Sequence, residues 1–280
     1  MPESPVVLIT GCSSGIGKAT ALAAAARGYR VYATARDPQS LRDLEGRGRV
    51  RALALDVTDT RSIERAFAAL LGEAGRLDAL VNNAGYGQYG AVEDVTAEEW
   101  RRQFDVNLFG AIEVTRAALP NLRQARRGTI VNVSSVAGKI AIPFAAPYCA
   151  SKHALEAVSD ALRVELSPFH IRVVIIEAGP IETRFGERAR AGVARLFASP
   201  GPYSAFYKSA ERAMDTEFQA GKLPAEAVAR VIMDAIESPR PKTRYRVGRM
   251  ARALIPLRAL LPDSFFDRRM KKALKLPDRT

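Results

Sequence analysis

The stretch Thr10-Gly11-Cys12-Ser13-Ser14-Gly15-Ile16-Gly17 decides the fold of this chain. It follows the apolar run Val6–Ile9 and opens a helical pattern over Ile16–Arg27. Glycines at such a junction let the backbone turn sharply and approach a pyrophosphate, which the start of the next helix stabilises. The spacing Gly-x-x-x-Gly-x-Gly between a strand and a helix therefore predicts a dinucleotide-binding turn; the alternative is a purely structural turn.

Strand and helix patterns alternate outward from this turn. Strands are expected at Val6–Ile9, Arg30–Ala35, Val50–Leu55, Ala79–Asn82, Thr129–Ser134 and Ile171–Ile176, with a short one at Tyr245–Val247. Helices are expected at Ile16–Arg27, Arg61–Gly75, Ala97–Gln124, Tyr148–Leu166 and Ala225–Glu237. Most of the strands are apolar throughout, as strands buried on both faces are. The pattern predicts an α/β fold, with a doubly wound parallel sheet, helices on both faces and one domain over 1–280.

Composition narrows the class of protein. The net charge is +12, but residues 239–280 hold thirteen basic and three acidic residues, so the excess describes a basic C-terminal extension and not a nucleic-acid-binding fold. No apolar stretch approaches the roughly 20 residues that span a bilayer, and the start has no secretory pattern, so a cytoplasmic protein is expected. The two cysteines predict no disulfide framework, and no residue cluster has metal-ligand spacing.

The end of the second strand bears on the choice between NAD and NADP. An acidic residue there accepts hydrogen bonds from ribose hydroxyls and repels a 2′-phosphate. This chain has Ala35 at that position and then Arg36, whose guanidinium suits a phosphate. NADP(H) is the predicted preference, with NAD(H) as the alternative. Asp37 weakens the argument, and Arg36 as a solvated surface charge is the other interpretation.

Tyr148 and Lys152 are the candidate acid/base pair. They are four residues apart on a predicted helix, which places them on one face. A free tyrosine has a pKa of about 10, and a nearby ammonium lowers it. The pair can therefore act as a tuned proton donor and acceptor.

The chain strongly resembles the short-chain dehydrogenase/reductase family from about Pro5 to Thr183. The residues that carry the resemblance are the glycine-rich turn, Leu55-Asp56-Val57, Asn82-Asn83-Ala84-Gly85, Val106-Asn107, Val133-Ser134-Ser135 and Tyr148 with Lys152. Their order and spacing together are highly specific. The resemblance implies a Rossmann-type sheet of seven parallel strands and a homodimer or homotetramer, paired through the helices near Ala97–Gln124 and Tyr148–Leu166.

The resemblance also implies roles for matching residues. Ser135 would bind the substrate oxygen, with Ser134 as the alternative; Tyr148 would donate the proton; Lys152 would lower the pKa of Tyr148 and hold the nicotinamide ribose; and Asn107 would anchor a relay water. The cofactor would contact Gly11, Ser13, Ser14, Gly15, Ile16, Gly17, Arg36, Asp56, Val57, Asn83, Ala84, Gly85, Tyr148, Lys152, Gly179, Ile181 and Thr183. Ala178 stands where the family often has proline, a departure that bears on the backbone path toward Thr183.

Several stretches resemble the 17β-hydroxysteroid dehydrogenase and retinol dehydrogenase branch, among them Val31–Arg36 and Tyr148–Lys152. That branch implies a small lipophilic ketone or alcohol as substrate. Ser135, Tyr148 and Phe144 are the expected substrate contacts, beneath a lid over 184–222 whose aromatic residues alternatively fill the core. A non-catalytic dinucleotide-binding regulator is the competing function, although the Ser135, Tyr148 and Lys152 set is intact. The basic tail favours a solvated capping helix, with a membrane-surface segment as the alternative.

Overall fold

The computed structural model describes residues 4–183, 196, 201–204, 206–207, 222–274 and 276. The strands are β1 (Val6–Ile9), β2 (Arg30–Ala35), β3 (Val50–Ala54), β4 (Ala79–Asn82), β5 (Gly128–Ser135), β6 (Ile171–Ala178), β7 (Ile181–Glu182), β8 (Leu223–Pro224) and β9 (Arg244–Val247). Seven of them form one parallel sheet, in the order β3-β2-β1-β4-β5-β6-β9, and β7 pairs separately with β8. The fold is thus the single-domain, seven-stranded Rossmann-type sheet that the sequence predicts.

Helices cover both faces of the sheet. They are α1 (Gly15–Ala26), α2 (Thr60–Ala74), α3 (Ala97–Phe104), α4 (Gly110–Ala125), α5 (Ala146–Glu165), α6 (Ala225–Glu237), α7 (Arg249–Leu260) and α8 (Asp263–Leu274). Alternate residues of a central strand point to opposite faces of the sheet and join different hydrophobic cores. In β1, Val7 and Ile9 belong to the core that includes α6, whereas Val6 and Leu8 belong to the core that includes α2 and α4. The near-continuous apolar strands are explained by this burial on both faces.

The predicted elements occur with boundary shifts of at most two residues, apart from one. The single helix predicted over Ala97–Gln124 is α3 and α4, joined by a π-helical turn at Asp105–Phe109. The wider turn is marked by the N–H of Gly110 donating to the carbonyl of Asp105, five residues back. Within the turn Asn107 and Leu108 are buried. Hydrophobic periodicity cannot reveal one extra residue in a helical turn, so the prediction was wrong here.

The strand order reverses between β1 and β4, which are neighbours in the sheet. The chain leaves β1 toward β2 on one side and returns through β4 toward β5 on the other. In open parallel sheets this reversal leaves a crevice at the carboxyl ends of the strands, where ligands bind. The glycine-rich turn after β1 and Asn83–Gly85 after β4 border that crevice.

The described part of the basic C-terminal extension contains β9, α7 and α8. β9 pairs with β6, and α7 packs Ala251 and Ile255 against Val136 and Ile140, beside the end of β5. The inner side of α7 therefore belongs to the body of the protein. Among the described residues, no helix combines the length and apolarity that crossing a bilayer requires.

Candidate active site

A cleft of about 1590 Å³ opens at the carboxyl ends of the strands. It collects the sequence-predicted cofactor and catalytic residues from loops that are far apart in the chain. Only Gly17 and Asn107 of that set are not part of its lining. The lining includes Gly11, Ser13, Ser14, Gly15, Ile16, Arg36, Asp56, Val57, Asn83, Ala84, Gly85, Ser135, Phe144, Tyr148, Lys152, Gly179, Ile181 and Thr183.

The start of α1 is fitted to an anion. Ser14 is its N-cap residue but makes no capping hydrogen bond with its side chain, and the first turn holds no acidic residue. By contrast, Asp59 caps α2 and Thr96 caps α3 with their side chains. The first N–H groups of a helix need partners, and their dipole favours negative charge. The glycine turn therefore fits the pyrophosphate of a dinucleotide.

Two glycines of this turn need their hydrogen side chains. Gly11 has φ of +73°, and a Cβ there would lie 2.9 Å from the Cα of Ala84. A Cβ on Gly17 would clash with the carbonyl oxygen of Gly11 and lie 2.5 Å from Nδ2 of Asn83. Gly17 thus allows α1 to pack closely against Gly11 and Asn83. This packing explains why Gly17 does not line the cleft.

The loop after β4 is bound to the glycine turn. The Asn83 side chain donates from Nδ2 to the carbonyl oxygens of Thr10 (2.9 Å) and Gly11 (3.1 Å). The Thr10 hydroxyl oxygen accepts from the N–H groups of Asn83 (2.9 Å) and Ala84 (3.0 Å). These bonds fix the floor of the cleft, so Asn83 acts here by holding the turn in shape.

Arg36 and Asp37 follow β2 at the rim of the cleft and have different surroundings. Arg36 is exposed and lines the cleft. The Asp37 carboxylate accepts from the N–H of Gln39 at 2.9 Å and caps the short 3₁₀ turn Pro38–Leu41. Asp37 is therefore engaged in a local turn, as aspartate before a turn commonly is.

Tyr148 and Ser135 meet in the cleft through a side-chain hydrogen bond. Burial raises the pKa of Tyr148 to about 12, and the bond to Ser135 acts in the opposite direction. The pKa is thus shifted opposite to the direction expected from Lys152. The reason is that desolvation of the phenolate outweighs the groups that stabilise it. In the protein alone Tyr148 keeps its proton at neutral pH.

Lys152 is almost completely buried, with 6% of its surface exposed. Its ammonium donates to the carbonyl oxygen of Val133 on β5 at 2.8 Å. Burial lowers the pKa of Lys152 to about 8, while the negative charge of Glu156 raises it. The Val133 carbonyl anchors the amine one helical turn from Tyr148, and no sequence signal identifies a backbone acceptor of this kind.

Asn107 lies in the π turn and clamps the loop after β4. Its Oδ1 accepts from the N–H of Tyr86 at 3.0 Å, and its Nδ2 donates to the carbonyl oxygen of Tyr86 at 2.9 Å. The same Nδ2 lies 3.3 Å from the Ser151 hydroxyl on α5. Asn107 therefore ties the Tyr86 loop to the helix that carries Tyr148 and Lys152.

The segment after β6 returns to the glycine turn. Thr183 packs so closely on Gly15 that a Cβ there would lie 2.8 Å from its Cγ2. Ala178 lies in β6 in register with Ser135, and the N–H of Gly179 donates to Val247 on β9 at 2.9 Å. The backbone thus reaches Thr183 although Ala178 replaces the usual proline.

The aromatic wall of the cleft includes a residue that sequence reasoning missed. Tyr89 is buried, and its ring stacks on that of Tyr148. The rings of Tyr203 and Tyr207 pack edge-on against Phe144. Of the aromatic residues expected in the lid, Phe185 and Phe197 lie outside the described residues.

Three residues near the site are not part of its chemistry. His153 is exposed and its Nδ1 lies 2.9 Å from the carbonyl oxygen of Cys149. Burial raises the pKa of Cys12 to about 12 and also raises that of Cys149, so both thiols stay protonated.

No group of histidine, cysteine and carboxylate residues arranged to hold a metal ion occurs among the described residues.

Comparison with known proteins agrees with this geometry. The family model described as short chain dehydrogenase matches residues 5–194. The chain is 36% identical to 3-ketodihydrosphingosine reductase of Bacteroides thetaiotaomicron, with 98% of each chain covered. It is 34% identical to NADPH-dependent 3-dehydrocapnine reductase of Ornithobacterium rhinotracheale, with 96% of each covered. These relatives are consistent with the steroid and retinol dehydrogenase-like branch.

Solved structures show the same likeness. A short-chain dehydrogenase from Streptomyces avermitilis is 32% identical, superposes with a TM-score of 0.80 and is covered completely, as is this chain. A short chain dehydrogenase/reductase from Burkholderia phymatum in complex with NAD is 25% identical, with a TM-score of 0.80 and 95% of each chain covered. With its uncapped helix start and its serine, tyrosine and lysine in one cleft, this chain belongs to the short-chain dehydrogenase/reductase family of oxidoreductases, which use nicotinamide cofactors.

Proposed function

We propose that this protein is an NADP(H)-dependent oxidoreductase that interconverts a lipophilic ketone and its secondary alcohol. The observation that carries the proposal is the hydrogen bond between Tyr148 and Ser135 in the same cleft as the uncapped start of α1. Lys152 completes the set one helical turn away. A non-catalytic regulator would not need all three side chains.

The residues divide the work of carbonyl reduction. NADPH, when bound, supplies the hydride. Ser135 holds the substrate oxygen, and Tyr148 gives it a proton, since the phenol is protonated at neutral pH. The Lys152 ammonium supplies a positive charge beside the phenolate that forms, which limits the cost of that charge in a buried site.

Preference for NADP(H) rests on Arg36. Its guanidinium is free to reach the adenosine end of the cleft, and a 2′-phosphate accepts paired hydrogen bonds from such a group. The carboxylate of Asp37 would repel that phosphate, but it is turned into the cap of the Pro38–Leu41 turn. NAD(H) has no 2′-phosphate and would not make this contact with Arg36.

The apolar side chains in the cleft suit a lipophilic substrate. The lining includes Phe144, Tyr89, Ile142 and Tyr207. Two relatives are named for reducing 3-ketodihydrosphingosine and 3-dehydrocapnine. We place these two compounds beside ketosteroids and retinal in the candidate substrate class. Most of the predicted lid over 184–222 lies outside the described residues.

A panel of ketones tests the function. Ketosteroids, retinal, 3-ketodihydrosphingosine and simple aryl ketones are offered with NADPH, and its absorbance at 340 nm is followed. Activity on at least one lipophilic ketone is expected, and Tyr148→Phe is expected to lower kcat by about 10²–10⁴-fold while NADPH still binds. His153→Gln is the matched control on the same helix. Undiminished activity of Tyr148→Phe would refute the chemistry.

The assembly proposed is a homodimer or homotetramer through α4 and α5. Phe109 is 53% exposed at the start of α4, and Val164 is 68% exposed near the end of α5. One exposed apolar side chain on each of the two helices favours a contact between copies of this chain. Light scattering should give a multiple of the 30.4 kDa chain, and Phe109→Asp should reduce it.

The outer corner of α7 and α8 suits an anionic membrane surface. Leu260 is 82% exposed, Phe265 38%, and Arg269 lies over the Phe265 ring at 5.8 Å. Apolar side chains surrounded by cations favour weak binding to anionic lipid, which would supply an apolar substrate to a cytoplasmic enzyme. Vesicles with phosphatidylglycerol should sediment the wild type more than Leu260→Glu; Val92→Glu, elsewhere on the surface, is the control. Equal sedimentation of all three would exclude the contact.

A further inference from the structure

A buried carboxylate follows Lys152 on the same face of α5. Glu156 is four residues beyond Lys152 and is 2% exposed. The turn after β5 closes over it, because a Cβ on Gly138 would lie 3.1 Å from Cγ of Glu156 and 3.2 Å from the carbonyl oxygen of Lys152. A negatively charged side chain is rarely buried unless it has a function there or is paired with other groups.

We propose that Glu156 is a positioning residue that keeps Lys152 in its ammonium form and thereby sets the upper pH limit of reduction. This inference rests on the proposed function of Lys152. Lys152 and Glu156 are four residues apart on α5, so their side chains lie on one face of the helix, and both are buried. Opposite charges that share a buried environment stabilise each other. Consistent with this, the charge of Glu156 raises the pKa of Lys152 against the effect of burial.

The charged groups around Glu156 come from three other elements, two of them with cations that bind it and one with a second carboxylate. Its Oε2 lies 3.0 Å from Nζ of Lys139, on the turn after β5, and 3.0 Å from Nε of Arg244, on β9. Glu177, on β6 and fully buried, lies 3.3 Å from the same Nε. The nearest acidic group on α5 itself is Asp160, which binds Arg244 at 2.6 Å.

The two cations contact only one oxygen of the Glu156 carboxylate. Lys139 and Arg244 both approach Oε2, and Oε1 of Glu156 has no hydrogen-bond partner among the described residues. Lys139 is 31% exposed and Arg244 23%, so water weakens their charges, whereas Lys152 and Glu156 are both buried. The field of Glu156 at Lys152 is therefore only partly cancelled.

The test compares three neutralising substitutions across pH 6–10. The readouts are the rate of NADPH-dependent ketone reduction and the Kd of NADPH, measured by its fluorescence. In the wild type the rate of reduction should fall and the Kd of NADPH should rise as Lys152 loses its proton near pH 8. Glu156→Gln should move this midpoint down by about one pH unit, equal to a tenfold change in the protonation equilibrium.

The other two substitutions separate charge from packing. Lys139→Gln removes a cation beside Glu156 and should move the midpoint up. Asp160→Asn also removes a partner of Arg244, but it lies about 12 Å along α5 from Lys152 and should leave the midpoint in place. Opposite shifts cannot arise from loosened packing alone.

An unchanged midpoint in both Glu156→Gln and Lys139→Gln would overturn the inference, as would equal shifts in Glu156→Gln and Asp160→Asn. If Glu156→Gln does not fold, Lys139→Gln and a charge-preserving Glu156→Asp decide: the first should shift the midpoint up and the second should keep it near the wild-type value. Absence of ketone reduction by the wild type would instead refute the proposed function, and the NADPH-binding midpoints would still decide the role of Glu156.

Discussion

The ring of Tyr89 lies nearly parallel to that of Tyr148, with centroids 6.3 Å apart and planes inclined by 22°. Tyr89 follows β4, whereas Tyr148 lies in the first turn of α5, so the stack joins the segment after β4 to the start of that helix. Tyr89 is 7% exposed, and its fixed ring limits the orientations open to the Tyr148 ring. The position of the proposed proton donor thus depends on a residue outside the family motifs.

Tyr89→Ala should lower stability and activity together. Loss of a buried aromatic ring costs about 3–5 kcal/mol in unfolding free energy, and a less restrained Tyr148 should lower kcat. Urea unfolding and steady-state kinetics measure the two effects. Tyr89→Phe keeps the ring and is the control; a kcat that falls equally in both variants would show that the hydroxyl, not the stacking, is what matters.

Lys152→Met should stabilise the fold while abolishing reduction. Burial lowers the pKa of Lys152 to about 8, against 10.5 in the unfolded chain. The unfolded chain therefore binds more protons between these values, and the wild type gains stability as pH rises through them. The methionine variant lacks this penalty and should be about 1–3 kcal/mol more stable at pH 7, after the lost bond to Val133 is subtracted.

Melting temperatures at pH 7 and pH 10 check the sign of that effect. The advantage of Lys152→Met should be largest at pH 7 and should shrink toward pH 10. Lys242→Met, which removes an exposed lysine, is the control. A wild type more stable than Lys152→Met at pH 7 would contradict the expectation.

Arg36→Ala should change cofactor choice and little else. The side chain is exposed at the rim of the cleft, so its removal leaves the core intact. A lost charge-assisted contact to phosphate costs about 1.5–3 kcal/mol, so kcat/KM for NADPH should fall about 10- to 100-fold while that for NADH is unchanged. Arg42→Ala, exposed and not part of the cleft lining, is the control. An equal loss for both cofactors would argue against a phosphate contact.

Tyr207→Phe should raise KM for a lipophilic ketone. The Tyr207 hydroxyl accepts from the N–H of Ala91 at 2.8 Å and donates to Asp94. Without it, a buried N–H loses its partner at a cost of about 1–3 kcal/mol, and the aromatic contact with Phe144 is held less firmly. Tyr203→Phe preserves its ring and is the matched control. An unchanged KM in Tyr207→Phe would show that the hydrogen bond between Tyr207 and Ala91 does not contribute to substrate binding.

Much of the fold follows from local sequence. Strands such as Val6–Ile9 and Ala79–Asn82 have the predicted bounds, because apolar runs between turn residues are strong local signals. The π turn at Asp105–Phe109 escaped prediction because it changes the helical repeat by one residue within a continuous helical pattern. The β7–β8 pair escaped it because a two-residue bridge has no periodicity.

The candidate site could be predicted only as far as its motifs extend. Glycine spacing and the Tyr148–Lys152 separation are visible in sequence, and the structure brings these residues into one cleft. The Val133 carbonyl, the Tyr89 stack and the cap made by Asp37 depend on backbone position and on contacts between distant elements. Neither residue type nor spacing encodes these contacts. The direction of the Tyr148 pKa shift was missed for the same reason, since desolvation depends on what surrounds the phenol.

The small β7–β8 pair has a consequence for how substrate range can diverge. Ile181 and Leu223 are paired side by side, and the N–H of Leu223 donates to the carbonyl of Pro180 at 3.2 Å, although 184–222 lies between them in the sequence. Because its two ends are fastened side by side, that insert can change in length or composition without pulling on the seven-stranded sheet. Exchanging 184–222 for the equivalent stretch of a relative should therefore transfer ketone preference and leave nucleotide affinity as it was.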